Sequence, residues 1–569
     1  MKVLIEGEKY PVSDLETILD DSKFYIQKGI EGVINSVGYY HSFDKNELVY
    51  FLPKVFMKDD CGNTVFGISK DDLFNFQANE TFKLKEEYRW IRQLLIYFYN
   101  SLKEYKRRYS DNIIIETSHS FELNTTLGNN EYTYLDLLLS FVNFYKKNKT
   151  TILFKHIEFK SNQAKKPKWE KTFRKSLPFL DSSNTPFYPE IRNKKKIINS
   201  EEELIIYFFS ILNRFNNEHE LHLKIDPSYT LIKASAFENL QKSGLSKLRK
   251  IKHRYFSDIL KRMYSLCEIY FQQTDTSSYK RKKEEFISVK NYNIVFEDMV
   301  DKLFSDKLDE KKEIDHEKIS LDDLKYNNDG KIIDHIYEGQ SLIDTSNIFY
   351  IGDSKYYKSN SEAGNLSKYK QFTYAKNVIQ FNIDLLNDGK VYKKNIRYRD
   401  EITEGYNLTP NFFIYGYIEN VNDFDETNLT RKKEFPIKSF HFDDRLFDRD
   451  TLFVHQYKIN FLYVLKSYST FNESRIKEFR HKTKKDFRKQ FVDFFNDSSK
   501  SGFQIYELEI VKKKAGAIVN NNFKLLNGKC FYTSDNKLLI AKFNEDETLN
   551  EFIKNPSIII KTLSADLAE

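Results

Sequence analysis

The chain has 569 residues, 40% hydrophobic and 30% charged, with 90 Lys and Arg against 83 Asp and Glu for a formal net charge of +7. That length predicts three or four domains rather than one core, and the balance excludes a disordered or fibrous chain. Three scattered cysteines with no CxxC pair exclude a cysteine zinc site and suit a reducing compartment. No apolar run reaches the roughly 20 residues of a membrane span, and Met1 to Glu6 meets an acid before a leader's apolar core could form, so a cytoplasmic protein without a membrane partner is expected.

Residues 1–110 read as a mixed α/β module suited to docking a partner. Val3 to Ile5 and Leu48 to Leu52 are short strands, the second closed by Pro53. A helix from Lys85 to Tyr109 follows, with Leu94, Leu95, Phe98, Leu102 and Tyr105 near a 3.6-residue period. Its Lys106-Arg107-Arg108 end suits the negative pole of the helix dipole.

Residues 111–290 read as mainly helical and basic, with helices at Tyr132 to Lys147, Glu201 to Asn216 (capped by Ser200) and Leu245 to Phe271. A basic connection bearing Lys165-Lys166-Pro167-Lys168-Trp169 and Lys194-Lys195-Lys196 lies between the first two, and Tyr279 to Lys283 follows the third. Lys247, Arg249, Lys250 and Arg254 open the third helix, and point charges of this kind suit phosphate contact without sequence readout. A solvated helix face is the competing reading.

Residues 291–420 carry the candidate chemistry. The expected order is a helix from Ile294 to Leu308, strands at 331–337 and 348–355, a helix from Ser367 to Asn377 and a strand from Phe412 to Tyr417. Residues 421–498 read as an aromatic and basic helical extension, with helices at Phe447 to Tyr468 and Arg475 to Phe495; Lys484, Lys485 and Arg488 are its candidate DNA contacts. Ser498 to Gly502 reads as a linker, and residues 499–569 as a small β-rich appendage.

The strand Phe349-Tyr350-Ile351-Gly352-Asp353-Ser354-Lys355 ends in a carboxylate, a spacer and an amine, so Asp353 and Lys355 project from one face. Upstream, Ile332-Ile333-Asp334-His335-Ile336-Tyr337 presents a second acid on a strand, and Glu297 lies on the preceding helix. Phosphodiester hydrolysis needs a metal to polarise the phosphate, an activated water and relief of charge in the transition state. Asp334, Asp353 and the backbone carbonyl of Ser354 are candidate hard-oxygen ligands for Mg²⁺, with Mn²⁺ as the alternative ion. Lys355 would hold the attacking water or the phosphate, and Glu297 would orient Lys355 or bind a second metal. His219-Glu220-Leu221-His222 is one residue short of a zinc-protease motif, and GxxxxGK[ST] and GxSxG are both absent.

These residues resemble the PD-(D/E)xK nucleases, so the expected fold is a multi-domain α/β chain. A restriction-endonuclease-like core would carry a mixed N-terminal module, a helical middle region and a β-rich C-terminal appendage. Further blocks are similar to the LlaJI family of restriction endonucleases, related to McrC-type nuclease subunits. They are Gly38-Tyr39-Tyr40, Leu52-Pro53-Lys54-Val55-Phe56, Trp169-Glu170-Lys171-Thr172, Gly352-Asp353-Ser354-Lys355-Tyr356-Tyr357, Tyr369-Lys370-Gln371, Leu446 to Leu452 and Tyr457 to Leu462. One departure is Ile333, where the motif's name has proline.

The resemblance implies an endodeoxyribonuclease subunit of a restriction or anti-phage system. Its partners would be double-stranded DNA and a separate McrB-type AAA+ GTPase, with a DNA methyltransferase in the same system and a nuclease dimer as further possibilities. It carries metal and catalytic roles onto Asp334, Asp353 and Lys355 and makes Gln371 an accessory residue. A non-cleaving DNA-binding subunit and an RNA-directed nuclease are the alternatives.

Overall fold

A computed structural model describes residues 2–566 apart from 46, 59–61, 76–88, 110–114, 119–121, 126–127, 132, 200–201, 219–222, 275–283, 306–311, 315–316, 320–323, 325–332, 359–360, 388–394, 421–422 and 471. Cys61, Ser200, the His219 to His222 stretch, the basic Tyr279 to Lys283 connection and the first two residues of the strand expected from 331 therefore lie outside the described residues. The chain groups into two units, one gathering Tyr40–Glu47 with Thr117–Phe286, the other Lys2–Tyr39, Leu48–Glu116 and Ile287–Glu569.

In the first unit, the helices Tyr134–Leu153, Glu203–Glu218, Ala234–Ile251 and Asp258–Thr274 share one core. Its centre is aromatic: Phe141 stacks on Phe208 and meets Phe215 and Tyr270 edge-on. Thr133 and Asp136 form a capping box on the first helix. Within the basic connection, Phe154–Ser161 and Ile191–Ile198 form an antiparallel ribbon that carries Lys194, Lys195 and Lys196.

The helix expected over Leu245 to Phe271 is two helices. Between them Lys252–Arg254 is a 3₁₀ turn and Tyr255 is extended, its hydroxyl donating to Glu202. Lys247, Arg249 and Lys250 therefore lie toward the C-terminal end of a helix, where cations offset the dipole, rather than at the opening of one.

In the second unit, the N-terminal strand Lys2–Ile5 pairs in parallel with Val49 to Leu52, and a long helix spans Arg89–Arg108. The layer that positions the candidate chemistry begins with helix α1, Tyr292–Phe304, and the hairpin β1, His335–Gln340, with β2, Asn347–Lys355. Helix α2, Asn365–Asn387, leads to β3, Asn411–Tyr417, then to the short β4, Thr430–Arg431, and β5, Ile437–Ser439. The last members are β6, Leu452–Asn460, and helices α3, Phe461–Thr470, and α4, Glu473–Asn496.

The sheet runs β1-β2-β3-β6-β4, with β5 also on β6. β2, β3 and β6 are parallel, while β1 lies antiparallel on β2 and β4 and β5 lie antiparallel on β6. Two elements correct the sequence reading. Phe447 to Tyr468 contains β6 before any helix: Gln456 to Asn460 alternates polar and apolar residues as a strand does, while Leu452-Phe453-Val454 before it fits either period. Asn460 then accepts from the Leu462 N–H and starts α3. Ser498–Ser501 is a short helix capped by Asp497 and ended by Gly502 at φ 87°, not a linker.

One face of the sheet is packed by aromatics. Phe487 of α4 lies 4.6 Å from Phe412 and 4.5 Å from Tyr457, and Phe304 of α1 lies 5.7 Å from Phe487. Gly352 permits this closeness at β2, since a Cβ there would stand 2.3 Å from the Phe412 ring. The C-terminal strands form an antiparallel sheet of their own. Asp344 ties it to the core by accepting from the Ser534 N–H, and Asp400 by accepting from the Tyr532 N–H.

Arg488, read from sequence as a DNA contact, is buried. Its guanidinium donates to the carbonyls of Gln340 and Ser341 at 2.8 and 2.7 Å, and to Ser564 at 3.2 Å. It clamps the β1–β2 turn, so Arg488→Ala is expected to lower stability by about 2–4 kcal/mol, leaving buried carbonyls without a charged donor. Lys485→Ala, at an exposed neighbour, should change it by less than about 0.5 kcal/mol. Urea unfolding of the two variants checks both values.

Candidate functional site

The hairpin register places the two acids. His335 pairs with Gly352 as the last rung of β1 on β2, so one step further along the antiparallel ladder Asp334 falls opposite Asp353. Cross-strand neighbours stand about 4.5–5.5 Å apart at Cβ, and like charges there repel. The ladder itself ends at His335, and the Asp334 carboxylate takes over by accepting from the Ser354 N–H at 3.0 Å. The Asp334 and Asp353 carboxyl groups are also within hydrogen-bonding reach of each other.

Lys355 completes the group from the same strand face. Its Nζ is 2.5 Å from Asp353 Oδ2 and 4.6 Å from the centre of the Phe413 ring. Both Asp353 and Lys355 are buried. Glu297, on α1, accepts from Asn293 Nδ2 at 3.3 Å and feels the charges of Asp353 and Lys355.

The electrostatics record too many acids for one amine. Burial, then the charges of Asp353 and Glu297, hold the Asp334 carboxyl well above the usual carboxylate range. Burial, with Asp353 opposing Lys355, raises Glu297 to about 7. The donors are hard oxygens, as a Mg²⁺ ion requires. Among the described residues no group of three or more His, Cys, Asp or Glu side chains has metal-binding spacing. The Ser354 carbonyl leaves its strand on the same side as the N–H that meets Asp334, the edge where β1 has already ended.

The other candidates have other partners. Gln371 of α2 is fully buried and donates from Nε2 to Asn411 Oδ1 at 2.5 Å, joining α2 to the start of β3. Lys484 lies over the Tyr337 ring at 4.4 Å, and Lys485 is exposed. In the first unit Lys247, Arg249 and Lys250 are exposed, as is Arg254, which lies 3.5 Å from Glu203.

Several groups escaped the sequence reading. His335 bridges Ser354 and Asp301, four residues after Glu297 on α1; a histidine inside an apolar strand beside an acid was the available signal. Tyr356, directly after Lys355, donates its hydroxyl to Glu6 and accepts the Lys54 N–H at 3.1 Å, which fastens the end of β2 to the N-terminal strands. Lys432 lies 3.7 Å over the Tyr415 ring, and Tyr415 is the register partner of Lys355. Burial, aided by Lys458 and Lys433 and opposed by Glu362, brings its ammonium down to about 8.

No family model matches the chain, and no curated protein matches it. Among solved structures, the chain is similar to one in a half-complex from a tetradecameric assembly of Thermococcus gammatolerans McrB AAA+ hexamers with bound McrC. The match covers 84% of this chain and 98% of that one, at 12% identity and a TM-score of 0.24. Among the described residues no helix is long and apolar enough to cross a membrane.

Proposed function

We propose that the chain is a Mg²⁺-dependent DNA endonuclease of the PD-(D/E)xK type. The observation that carries this is the Asp334–Asp353–Lys355 group: two carboxyls brought face to face by strand register, with an amine of the same strand on one of them. Like-charged, enclosed carboxyls cost stability, and a divalent cation would relieve that cost. Asp334, Asp353 and the Ser354 carbonyl would hold it. Bound there, the ion would polarise a phosphodiester and lower the pKa of a bound water.

The chain's own groups supply the rest. Asp353 holds the Lys355 ammonium, and Phe413 beneath it limits where it can move. Lys355 meets the charge that develops on the phosphate, inside a site where low polarity strengthens that interaction. Glu297, with its raised pKa, is placed to take up or return a proton near Lys355. The Lys432 ammonium over Tyr415 adds a cation further along the sheet for the phosphate backbone.

The partner reading rests on the LlaJI-like and McrC-like sequence blocks. They point to a subunit of a restriction or anti-phage system that works with a McrB-type AAA+ GTPase. The test is supercoiled plasmid incubated with the chain, with and without that GTPase and GTP, in Mg²⁺, in Mn²⁺ and in chelator. Nicked or linear product that needs the ion supports the reading. Intact plasmid under every condition overturns it, and preferential cleavage of RNA in parallel reactions assigns the chain to RNA instead.

A further inference from the structure

We propose that His335 is a positioning residue that locks both proposed metal-holding acids to the helix carrying Glu297; this rests on the nuclease reading above. Its imidazole is fully buried. One ring nitrogen, Nε2, lies 2.6 Å from Ser354 Oγ, and Nδ1 lies 3.3 Å from Asp301 Oδ1. Facing an acceptor-only carboxylate, Nδ1 carries the proton, and Nε2 accepts from the Ser354 hydroxyl. Asp301 also accepts from the Ser305 hydroxyl, and Ser305 Oγ in turn accepts from the Ile336 N–H at 3.4 Å. One connected polar network therefore joins α1, β1 and β2.

Its side chains sit beside each proposed functional side chain without being one of them. Asp334 precedes His335, Asp353 and Lys355 flank Ser354, and Glu297 lies about one helical turn before Asp301. Ser354 projects from the face opposite Asp353 and Lys355, so the network lies under the site and out of substrate's reach. It matters most for Asp334, which stands past the last rung of the ladder. There its placement depends on the neighbouring His335 and on the Ser354 N–H. Supporting residues of this kind typically change metal affinity or activity by about 10- to 100-fold when removed.

The test compares wild type with His335→Ala, His335→Gln and His335→Asn, each checked for folding by circular dichroism. Gln can present its amide oxygen, an acceptor, where Nε2 meets Ser354, and Asn its amide nitrogen, a donor, where Nδ1 meets Asp301. His335→Ala is expected to weaken Mg²⁺ binding in titration calorimetry by about 10- to 100-fold. Single-turnover cleavage should fall in the same range, with the KM for duplex DNA unchanged. His335→Gln should recover most of the affinity, because the Ser354 link lies between Asp353 and Lys355, and His335→Asn less. Wild-type affinity and rate in His335→Ala overturn the inference while leaving the nuclease reading intact. Should His335→Ala fail to fold, equal Mg²⁺ affinity in the Gln and Asn variants overturns it. Wild-type protein that neither binds Mg²⁺ nor cleaves overturns the nuclease reading first.

Discussion

Lys355→Ala is expected to reduce DNA cleavage on the order of 10³-fold while leaving duplex affinity nearly unchanged. A preorganised donor aimed at developing charge accounts for about 10²- to 10³-fold in rate, and a proton-handling group for up to about 10⁴-fold. Lys355 has the features that put it in this range: it is buried, held at 2.5 Å by Asp353 and backed by the Phe413 ring. Affinity for duplex comes mainly from several exposed cations acting on phosphates, so one enclosed amine contributes little to it. Because truncation to Ala also empties a buried position, Lys355→Met serves as a second variant that removes the amine but keeps the packing volume. Single-turnover plasmid cleavage and gel-shift titrations at fixed salt give the two readouts. Cleavage near the wild-type rate in both variants removes Lys355 from the chemistry.

What the sequence made legible was local. Asp353 and Lys355 end an apolar run two residues apart, and alternation alone puts them on one strand face. The helix before them and the strands around them follow from short-range pattern. What was not legible depends on long-range register. The sequence paired Asp334 with Asp353 only as an expectation; the register that sets them opposite each other is fixed by the turn from Ser341 to Ser346, where Ser341 N–H donates to the Ser346 carbonyl. It is fixed also by Arg488, far along the chain, clamping Gln340 and Ser341. Charge alone made Arg488 resemble its exposed neighbour Lys485, since nothing local says which cation of a helix faces a sheet. β6 was missed although Gln456 to Asn460 alternates polar and apolar residues, because that short signal lies between apolar residues that also fit a helical period. His335, Asp301 and Ser354 come from three elements and meet only once those elements pack.

Asp334→Asn is expected to make the ion-free protein more stable while abolishing cleavage. The folded Asp334 carboxyl has a pKa raised well above the ordinary value by burial and by Asp353 and Glu297, so the folded chain holds that proton more tightly than the unfolded chain. The stability this site contributes is fully present below the unfolded pKa of about 3.9 and is lost as pH rises through the folded value. At neutral pH the acid is therefore a burden in the absence of a cation, because burial beside Asp353 and Glu297 opposes its ionisation. An amide keeps the size and can still accept from the Ser354 N–H, but it carries no charge to oppose Asp353. Relief of a destabilised functional site commonly adds about 0.5–2 kcal/mol. Wild-type protein should gain stability on adding Mg²⁺, as any ligand of the folded state requires, and the variant should lose most of that gain. Urea unfolding at mildly acidic and at neutral pH, with and without Mg²⁺, gives the comparison. The wild-type advantage should lie on the acidic side without ion, and the variant curve should flatten with pH. A variant less stable than wild type in ion-free neutral buffer would show that the Asp334 carboxylate is a net stabilising partner, and the case for a cation between the two acids would fall with it.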